Sequence, residues 1–379
     1  MKTFKQISII GLGDIFGSGI ALLFWFYLAA TIDPAEYGQI HYIISIGTIL
    51  STFTLLGTGN TLIVYIAKNK DVVIALLNFS LILGGGILIT SILFNFFNIG
   101  LLVFGIIIFM YGFSRDLAKK DFKKYSINII LQKSSMAALA FLGLHFFGIE
   151  GVIYGVGLSY FIYFRYIIQD VKNTKLSYNQ FIINFNEIKK NKNFIFTNYF
   201  FVMTHHIATQ ADKLLIVPIL GVTILGNYSL ALQIVTILTI MPSIIFKFIL
   251  PYNIEGKISK TLKRYTILLS FVFVFLGVVI SPILIPIFFE KYTEVIEIIQ
   301  IISFSVIPIT INQFYFAGFL SKENGKTPLI GGVISSSIML SGIIFLGSIF
   351  EERGIAITHV LSFSSLSLFY YWSQKKNRS

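Results

Sequence analysis

Residues 263–290 read KR, then YTILLSFVFVFLGVVISPILIPIFF, then E: two cations, 25 uncharged positions from Tyr265 to Phe289, and an acid. As a helix the uncharged run is about 37 Å long, enough to cross a hydrocarbon core of about 30 Å. It lacks the alternating polarity of a barrel strand. Its two ends differ in charge, and Lys and Arg gather on the cytoplasmic side of membrane helices, so the run has a direction as well as a length. Eleven further apolar segments accompany it: 6–30, 39–56, 72–94, 99–113, 125–147, 151–168, 194–220, 224–250, 295–319, 328–350 and 355–372. The first is too long for the apolar core of a signal peptide and reads as a retained helix. Composition agrees, with 55% hydrophobic residues, 12% charged residues and a mean hydropathy of +0.82. Soluble domains carry roughly 25% charged residues. The expected class is therefore all-α integral membrane, with about twelve transmembrane helices.

The net charge of +12 would suggest nucleic acid in a soluble chain. Here it follows the loops instead. With the N-terminus placed in the cytoplasm, 24 of the 29 Lys and Arg residues fall in cytoplasmic segments. Only Lys291 and Arg353 fall outside, while Lys133, Lys213 and Lys247 lie within helices. The outside turns are short and mildly acidic: Asp33 and Glu36, Glu150, Glu290 and Glu294, Glu351 and Glu352. One misplaced helix in the middle would invert every later loop and erase this pattern. The expectation is a multi-pass protein of the cell (cytoplasmic or inner) membrane, both termini cytoplasmic, with membrane lipids but no nucleic acid as partners. The chain has no cysteine, which excludes disulfides and thiolate metal sites.

The longest loop sits near the midpoint and divides six helices from six: 1–169, a cytoplasmic linker at 170–193, and 194–379. The halves look weakly alike. A Gly/Tyr-bearing outside turn recurs as Asp33-Pro34-Ala35-Glu36-Tyr37-Gly38 and as Gly221 to Tyr228, which sets Gly38 against Gly226. Gly151 and Gly354 form a second such pair, opening helices six and twelve at a similar offset. Two pseudo-symmetric six-helix bundles with a path between them are a transporter architecture.

No catalytic constellation is present: no H-E-x-x-H, G-x-S-x-G or Walker pattern, and no large outside loop to hold one. Gly11-Leu12-Gly13-Asp14-Ile15-Phe16-Gly17 follows no strand and lies in a membrane helix, which rules out a dinucleotide loop. What remains are ionisable groups at membrane depth, which are costly there and face a bundle interior or a wet cavity. Asn198, His205, Thr209 and Asp212 stack on one face of helix seven, widened by His206, Gln210 and Lys213. That face is either a hydrogen-bonded seam or a cavity wall. Asp14, among glycines, is either a packing group or a carboxylate for a proton or sodium ion. Lys133 either snorkels to the surface or meets a phosphate. Arg165 lies at the inner surface, and Asn312 and Gln313 read as packing groups.

Ala211-Asp212-Lys213-Leu214-Leu215-Ile216 with Leu225-Gly226-Asn227-Tyr228 is the strongest of several familiar stretches. Asp33 to Gly38, Phe288-Phe289-Glu290-Lys291-Tyr292 and Gly354-Ile355-Ala356-Ile357-Thr358 are the others. In this order and spacing they resemble the polysaccharide biosynthesis and export family, the Wzx-like flippases of the superfamily that includes MATE exporters. The resemblance runs over nearly the whole chain. It implies a MATE-like fold and translocation of a polyprenyl phosphate- or pyrophosphate-linked oligosaccharide to the outer leaflet for surface polysaccharide assembly, such as O-antigen. It implies no enzyme activity, no cofactor beyond coupling to a proton or sodium ion, a monomer, and other polysaccharide-assembly proteins as partners. The family's helix-seven Asp maps onto Asp212. A cationic cavity would draw on Lys133, Lys213 and Arg165, a sparser set than the family's. The fourteen-helix lipid II flippases resemble the chain less, because two helices are missing. A MATE-like cation-coupled exporter of small molecules is the alternative. It would want more acidic cavity groups than Asp14 and Asp212.

Overall fold

The computed structural model describes residues 2–55, 59–70, 72–172, 186, 188–254, 260–320 and 324–376. Among them there is no strand. The helices are α1 (Lys2–Thr31), α2 (Pro34–Thr54), α3 (Gly59–Ala67), α4 (Val72–Leu93), α5 (Phe97–Ala118), α6 (Phe122–Ser159) and α7 (Phe164–Lys172). They continue as α8 (Lys192–Leu220), α9 (Val222–Ile254), α10 (Lys260–Phe288), α11 (Val295–Ser303), α12 (Val306–Leu320), α13 (Lys326–Gly342) and α14 (Ser348–Lys376). Short 3₁₀ turns at Tyr160–Tyr163 and Glu290–Tyr292 and a π turn at Ile343–Gly347 link some of them.

Among the described residues eight helical stretches are long and apolar enough to cross a membrane, and two of them, Phe122–Asp170 and Lys326–Lys375, are long enough for two passes each. The first of these breaks at Gly148 within α6, and the second, which joins α13, the π turn and α14, breaks at Glu351 just after α14 begins. Pairs α2–α3 and α11–α12 each make one pass in two pieces. The second pass therefore runs past the expected 39–56, and the fourth reaches Ala118, not Phe113. Much of the expected linker, 173–185 and 187, lies outside the described residues; α7 and α8 take up its two ends. Lipid contact is written on the outer faces: Leu268, Phe271, Phe275, Ile283 and Ile287 of α10 are all more than half exposed. Apolar area on this scale is covered by hydrocarbon, not water.

The sequence repeat is visible in backbone geometry. Gly148 (φ 61°, ψ −146°) and Glu351 (φ 49°, ψ −124°) make the same turn, and each stands three places before its repeat's glycine, Gly151 or Gly354. The flanking contact repeats too. A Cβ on Gly151 would lie 2.0 Å from the Gly143 carbonyl oxygen, and one on Gly354 would lie 2.0 Å from that of Leu346, the equivalent position in the second half. Glycine suits the first turn, whereas the second places Glu351 in a region that costs other residues on the order of 1–3 kcal/mol. Glu351→Gly is accordingly expected to raise stability by about 1 kcal/mol after the extra unfolded-chain entropy is allowed for. Thermal unfolding followed by tryptophan fluorescence in nanodiscs reads this; a lower midpoint for the variant would count against a strained turn.

The chain divides into two compact units. Unit 1 holds residues 1–25 and 43–210, and unit 2 holds 26–42 and 211–379. The core of unit 1 gathers Tyr65, Leu76, Ile108, Tyr163, Ile167 and Ile195, so the start of α8 packs with α3, α4, α5, α7 and the 3₁₀ turn before α7. Asp121 caps α6, accepting the Lys124 backbone N–H and pairing with its ammonium at 2.7 Å. That hydrogen bond from Lys124 holds the Asp121 carboxyl below its ordinary range. In unit 2 the turn 31–34 docks on the turn 220–222. A Cβ on Gly38 would fall 2.0 Å from the Val222 oxygen, and one on Gly226 would fall 1.9 Å from that of Pro34. Pro34 and Val222 occupy equivalent places, each four positions before its repeat's glycine. The contact is therefore reciprocal: each repeat's glycine meets the other's carbonyl.

Candidate functional site

The sequence candidates fall into two groups. Asp14, Lys133, Arg165, His206, Thr209 and Gln210 belong to unit 1; Asp212 and Lys213 belong to unit 2. The His205 side chain lies outside the described residues. The polar stripe of α8 is thus divided between Gln210 and Ala211.

In unit 1, His206 Nδ1 lies 3.1 Å from Thr52 Oγ1, and Gln210 Oε1 accepts from Ser45 Oγ at 3.1 Å. These join α8 to α2 as a hydrogen-bonded seam. Thr209 is exposed, its hydroxyl donating to the His206 carbonyl at 3.1 Å. Asp14 is half-buried on α1 and accepts from Tyr125 Oη of α6 at 2.9 Å. One turn on, a Cβ at Gly17 would lie 3.6 Å from Lys133 Cγ, so the half-buried Lys133 runs its apolar stem along α1. Arg165 is exposed, with its guanidinium 5.0 Å from the Tyr166 ring centroid and 3.5 Å from Asn128 Oδ1.

Arg165 borders a network that motif and stripe reading did not single out. Arg115 also lies over the Tyr166 ring, at 4.4 Å, and pairs with Asp170 at 3.2 Å. Tyr111 Oη donates to the other Asp170 oxygen at 2.5 Å. Asn128 donates to the buried Asp116 at 2.7 Å. Two arginines on one tyrosine, with two carboxylates beside them, form a cationic–aromatic group at the basic ends of α5 and α7. Next to it Gln132 is fully buried, donating to Ser159 Oγ at 2.9 Å, while its Oε1 has no hydrogen-bond partner among the described residues.

In unit 2, Asp212 and Lys213 sit in a buried polar layer contributed by four helices. Asp212 accepts from Tyr228 Oη at 3.1 Å and from the Lys213 backbone at 2.8 Å, with Lys213 Nζ at 3.6 Å. Unit 2 also buries two imidazoles, His41 of α2 and His359 of α14, the latter edge-on to Tyr228 with centroids 6.3 Å apart. His41 packs edge-on to Tyr37, centroids 4.6 Å apart, and Tyr37 in turn meets Tyr292 at 6.2 Å. Counting residues from the turns at 31–34, 220–222 and 351 puts His41, Asp212, Tyr228 and His359 roughly 9–13 Å in, one layer. Neither His41 nor His359 was picked out from sequence, although both are ionisable groups in apolar helices, the same signal that marked Asp212.

The acidic turns above the layer are also linked. Asn227 donates to Glu352 at 2.8 Å and to Glu294 at 3.4 Å, and Arg353 pairs with Glu297 at 2.8 Å. Burial pushes the Glu352 carboxyl above its ordinary range; the Asn227 hydrogen bond opposes this, and Glu294, Glu351 and Glu297 add to it. No group of three or more His, Asp or Glu side chains suited to a metal occurs among the described residues.

Comparison with solved structures brings these features together. A structure described as lipid II flippase MurJ in an inward closed conformation superposes with a TM-score of 0.75, covering 97% of this chain and 87% of that one at 14% identity. The chain has the fold of the MurJ and MATE transporters. An inward-facing multidrug resistance MATE family transporter of the MOP superfamily matches at 0.64, over 98% and 94% of the two chains at 15% identity. A MATE in the bent conformation matches at 0.59, over 98% and 95% at 13% identity. The family model described as lipid II flippase MurJ matches residues 252–379, all within unit 2. No curated protein sequence matches the chain. On this fold the protein is a multi-pass membrane protein, and the proteins it matches are transporters, not enzymes. MurJ scores 0.75 against 0.64 and 0.59 for these MATE structures.

Proposed function

We propose that the chain moves a polyprenyl phosphate- or pyrophosphate-linked oligosaccharide from the cytoplasmic to the outer leaflet by alternating access. The observation that carries this reading is the superposition on MurJ over 97% of the chain, supported by the MurJ family model on residues 252–379. Physics supplies the need for such a protein. Each sugar hydroxyl stripped of water without a new partner costs about 2–7 kcal/mol, so a headgroup does not cross hydrocarbon unaided. Polar side chains replace that water, a cation meets the phosphate, and the prenyl tail stays in lipid. An inside-negative potential contributes about 2.3 kcal/mol per charge per 100 mV toward expelling an anion. Coupling to a proton or sodium ion is compatible with this driving force and not required by it.

Orientation with both termini in the cytoplasm follows from the loop charges. On this reading the Arg115–Tyr166–Arg165 group stands at the leaflet where the substrate is loaded, and the exposed Arg165 joins Lys133 as a phosphate contact. A MATE-like exporter is the second reading, favoured by the matches that cover 98% of the chain.

Reconstituted liposomes carrying a fluorescent lipid-linked oligosaccharide decide between them. Flipping well above empty liposomes is expected, falling about tenfold in Lys133→Ala and Arg165→Ala if each loses roughly one charge-assisted contact. A rate equal to that of empty liposomes, with efflux of a cationic dye instead, would replace the flippase by the exporter. Unchanged flipping in both variants would remove these residues from the substrate path.

A further inference from the structure

Asn227 is 1% exposed, yet its amide reaches two carboxylates of the acidic turns: Nδ2 donates to Glu352 Oε1 at 2.8 Å and to Glu294 Oε2 at 3.4 Å. The three residues come from distant places in the sequence: the second turn of α9, the position before α11 and the position after the Glu351 turn of α14. All belong to unit 2. The other atom of the amide, Oδ1, is sealed from solvent and has no hydrogen-bond partner among the described residues. A buried polar atom left unpaired is uncommon and points to a water or an ion. Charge is unbalanced at the same point. The cations of these turns are engaged elsewhere, Arg353 with Glu297 at 2.8 Å and Lys291 with Asp33 at 2.9 Å. Among the described residues neither Glu294 nor Glu352 has an ion-pair partner, so two like charges converge on one neutral amide.

We propose that Asn227, Glu294 and Glu352 hold a divalent, oxygen-seeking cation of calcium size, which ties α9, α11 and α14 together at the acidic end of unit 2. Two carboxylate oxygens that share one nitrogen at these distances are at most about 6 Å apart. Ca²⁺, with ligands at about 2.3–2.6 Å, spans about 5 Å between opposite oxygens and tolerates irregular geometry. Mg²⁺ needs about 2.0–2.1 Å and a near-ideal octahedron, which two acids and one amide do not preset. The terminal torsion of Asn is broad and roughly two-fold, so a half-turn exchanges Nδ2 and Oδ1 at little cost. In the arrangement seen here the amide turns its N–H groups to the carboxylates. With a cation between them it turns Oδ1 instead, and three oxygens face one point. The atom without a partner in the first arrangement is a ligand in the second. Glu294 is exposed, which gives the ion a way in and lets water complete its coordination. With two acids and one amide, the site belongs with the weak calcium sites, half-filled at about 0.1–1 mM.

Equilibrium dialysis of the full chain against radioactive calcium, in nanodiscs of zwitterionic lipid, tests this. One ion per chain is expected, half-bound at about 0.1–1 mM. Glu352→Gln and Glu294→Gln keep the side-chain shape and should each weaken binding by about tenfold or more, since charge count sets calcium affinity. Asn227→Asp supplies a third carboxylate and should tighten binding by about tenfold, a gain that misfolding does not produce. Glu297→Gln, whose partner is Arg353, should leave the affinity within about threefold. Saturating Ca²⁺ should also raise the thermal midpoint of the unaltered chain and leave that of Glu352→Gln in place. The midpoints without calcium show that each variant is folded. Absence of saturable binding overturns the site. So does binding that survives both glutamate changes, that falls as far in Glu297→Gln, or that an equal concentration of Na⁺ displaces. Binding is read without transport, so the site stands or falls apart from whether the protein flips a lipid.

Discussion

Asp212→Ala is expected to destabilise the protein by about 3–5 kcal/mol, the cost of breaking a buried ion pair by removing one partner. The carboxylate is 8% exposed and Lys213 only 15%. Its loss takes the paired carboxylate from Lys213 and the acceptor from Tyr228 Oη, itself sealed in the layer. A buried donor left without a partner adds about 1–3 kcal/mol to such a variant. The double change Asp212→Asn with Lys213→Met removes both charges while keeping a polar group for Tyr228, and should recover more than half of the loss. Denaturant titration in detergent, read by tryptophan fluorescence, measures both. If the single variant lost less than about 1 kcal/mol, the layer would be wet, and the pair would act as surface salt bridges do.

Gly226→Ala is the second large effect, at about 3 kcal/mol, the upper end for overpacking. The new methyl would meet the Pro34 carbonyl oxygen at 1.9 Å and Pro34 Cα at 3.1 Å. Both neighbours are backbone, so no rotamer change relieves the contact; the two turns must part. Gly19→Ala is the control, because a Cβ there meets nothing within 4 Å. In a helix that change is neutral or slightly favourable. Equal losses for the two variants would show that helix propensity, not docking, sets the result.

Much of the fold is legible in one dimension because lipid imposes a length and loops impose a sign. Uncharged runs such as Tyr265–Phe289 gave the passes, and the alternation of basic and acidic loops protected the count. The repeat was legible from Gly38 with Gly226 and from Gly151 with Gly354, and those same residues make the closest backbone approaches. Where the reading stopped short, tertiary pairing is the reason. Arg115 and Asp116 look like the end of a membrane helix, but Asp170 and Asn128 satisfy them and α5 continues to Ala118. The α8 stripe was recognised as polar, but periodicity does not say that Gln210 turns to Ser45 while Asp212 turns to Tyr228. His41 and His359 are single residues in apolar runs near opposite ends of the chain, and only folding buries both in one unit.

The composition of the units also dictates an order of events at the ribosome. Residues 26–42 are made early, but the surfaces they settle on, α8 to α14, emerge only after all of α3 to α7 has been synthesised. Until then a glycine-faced hairpin bearing His41 waits in the bilayer without its permanent neighbours. The nascent chain thus carries that hairpin without its final partners through the synthesis of five further helices.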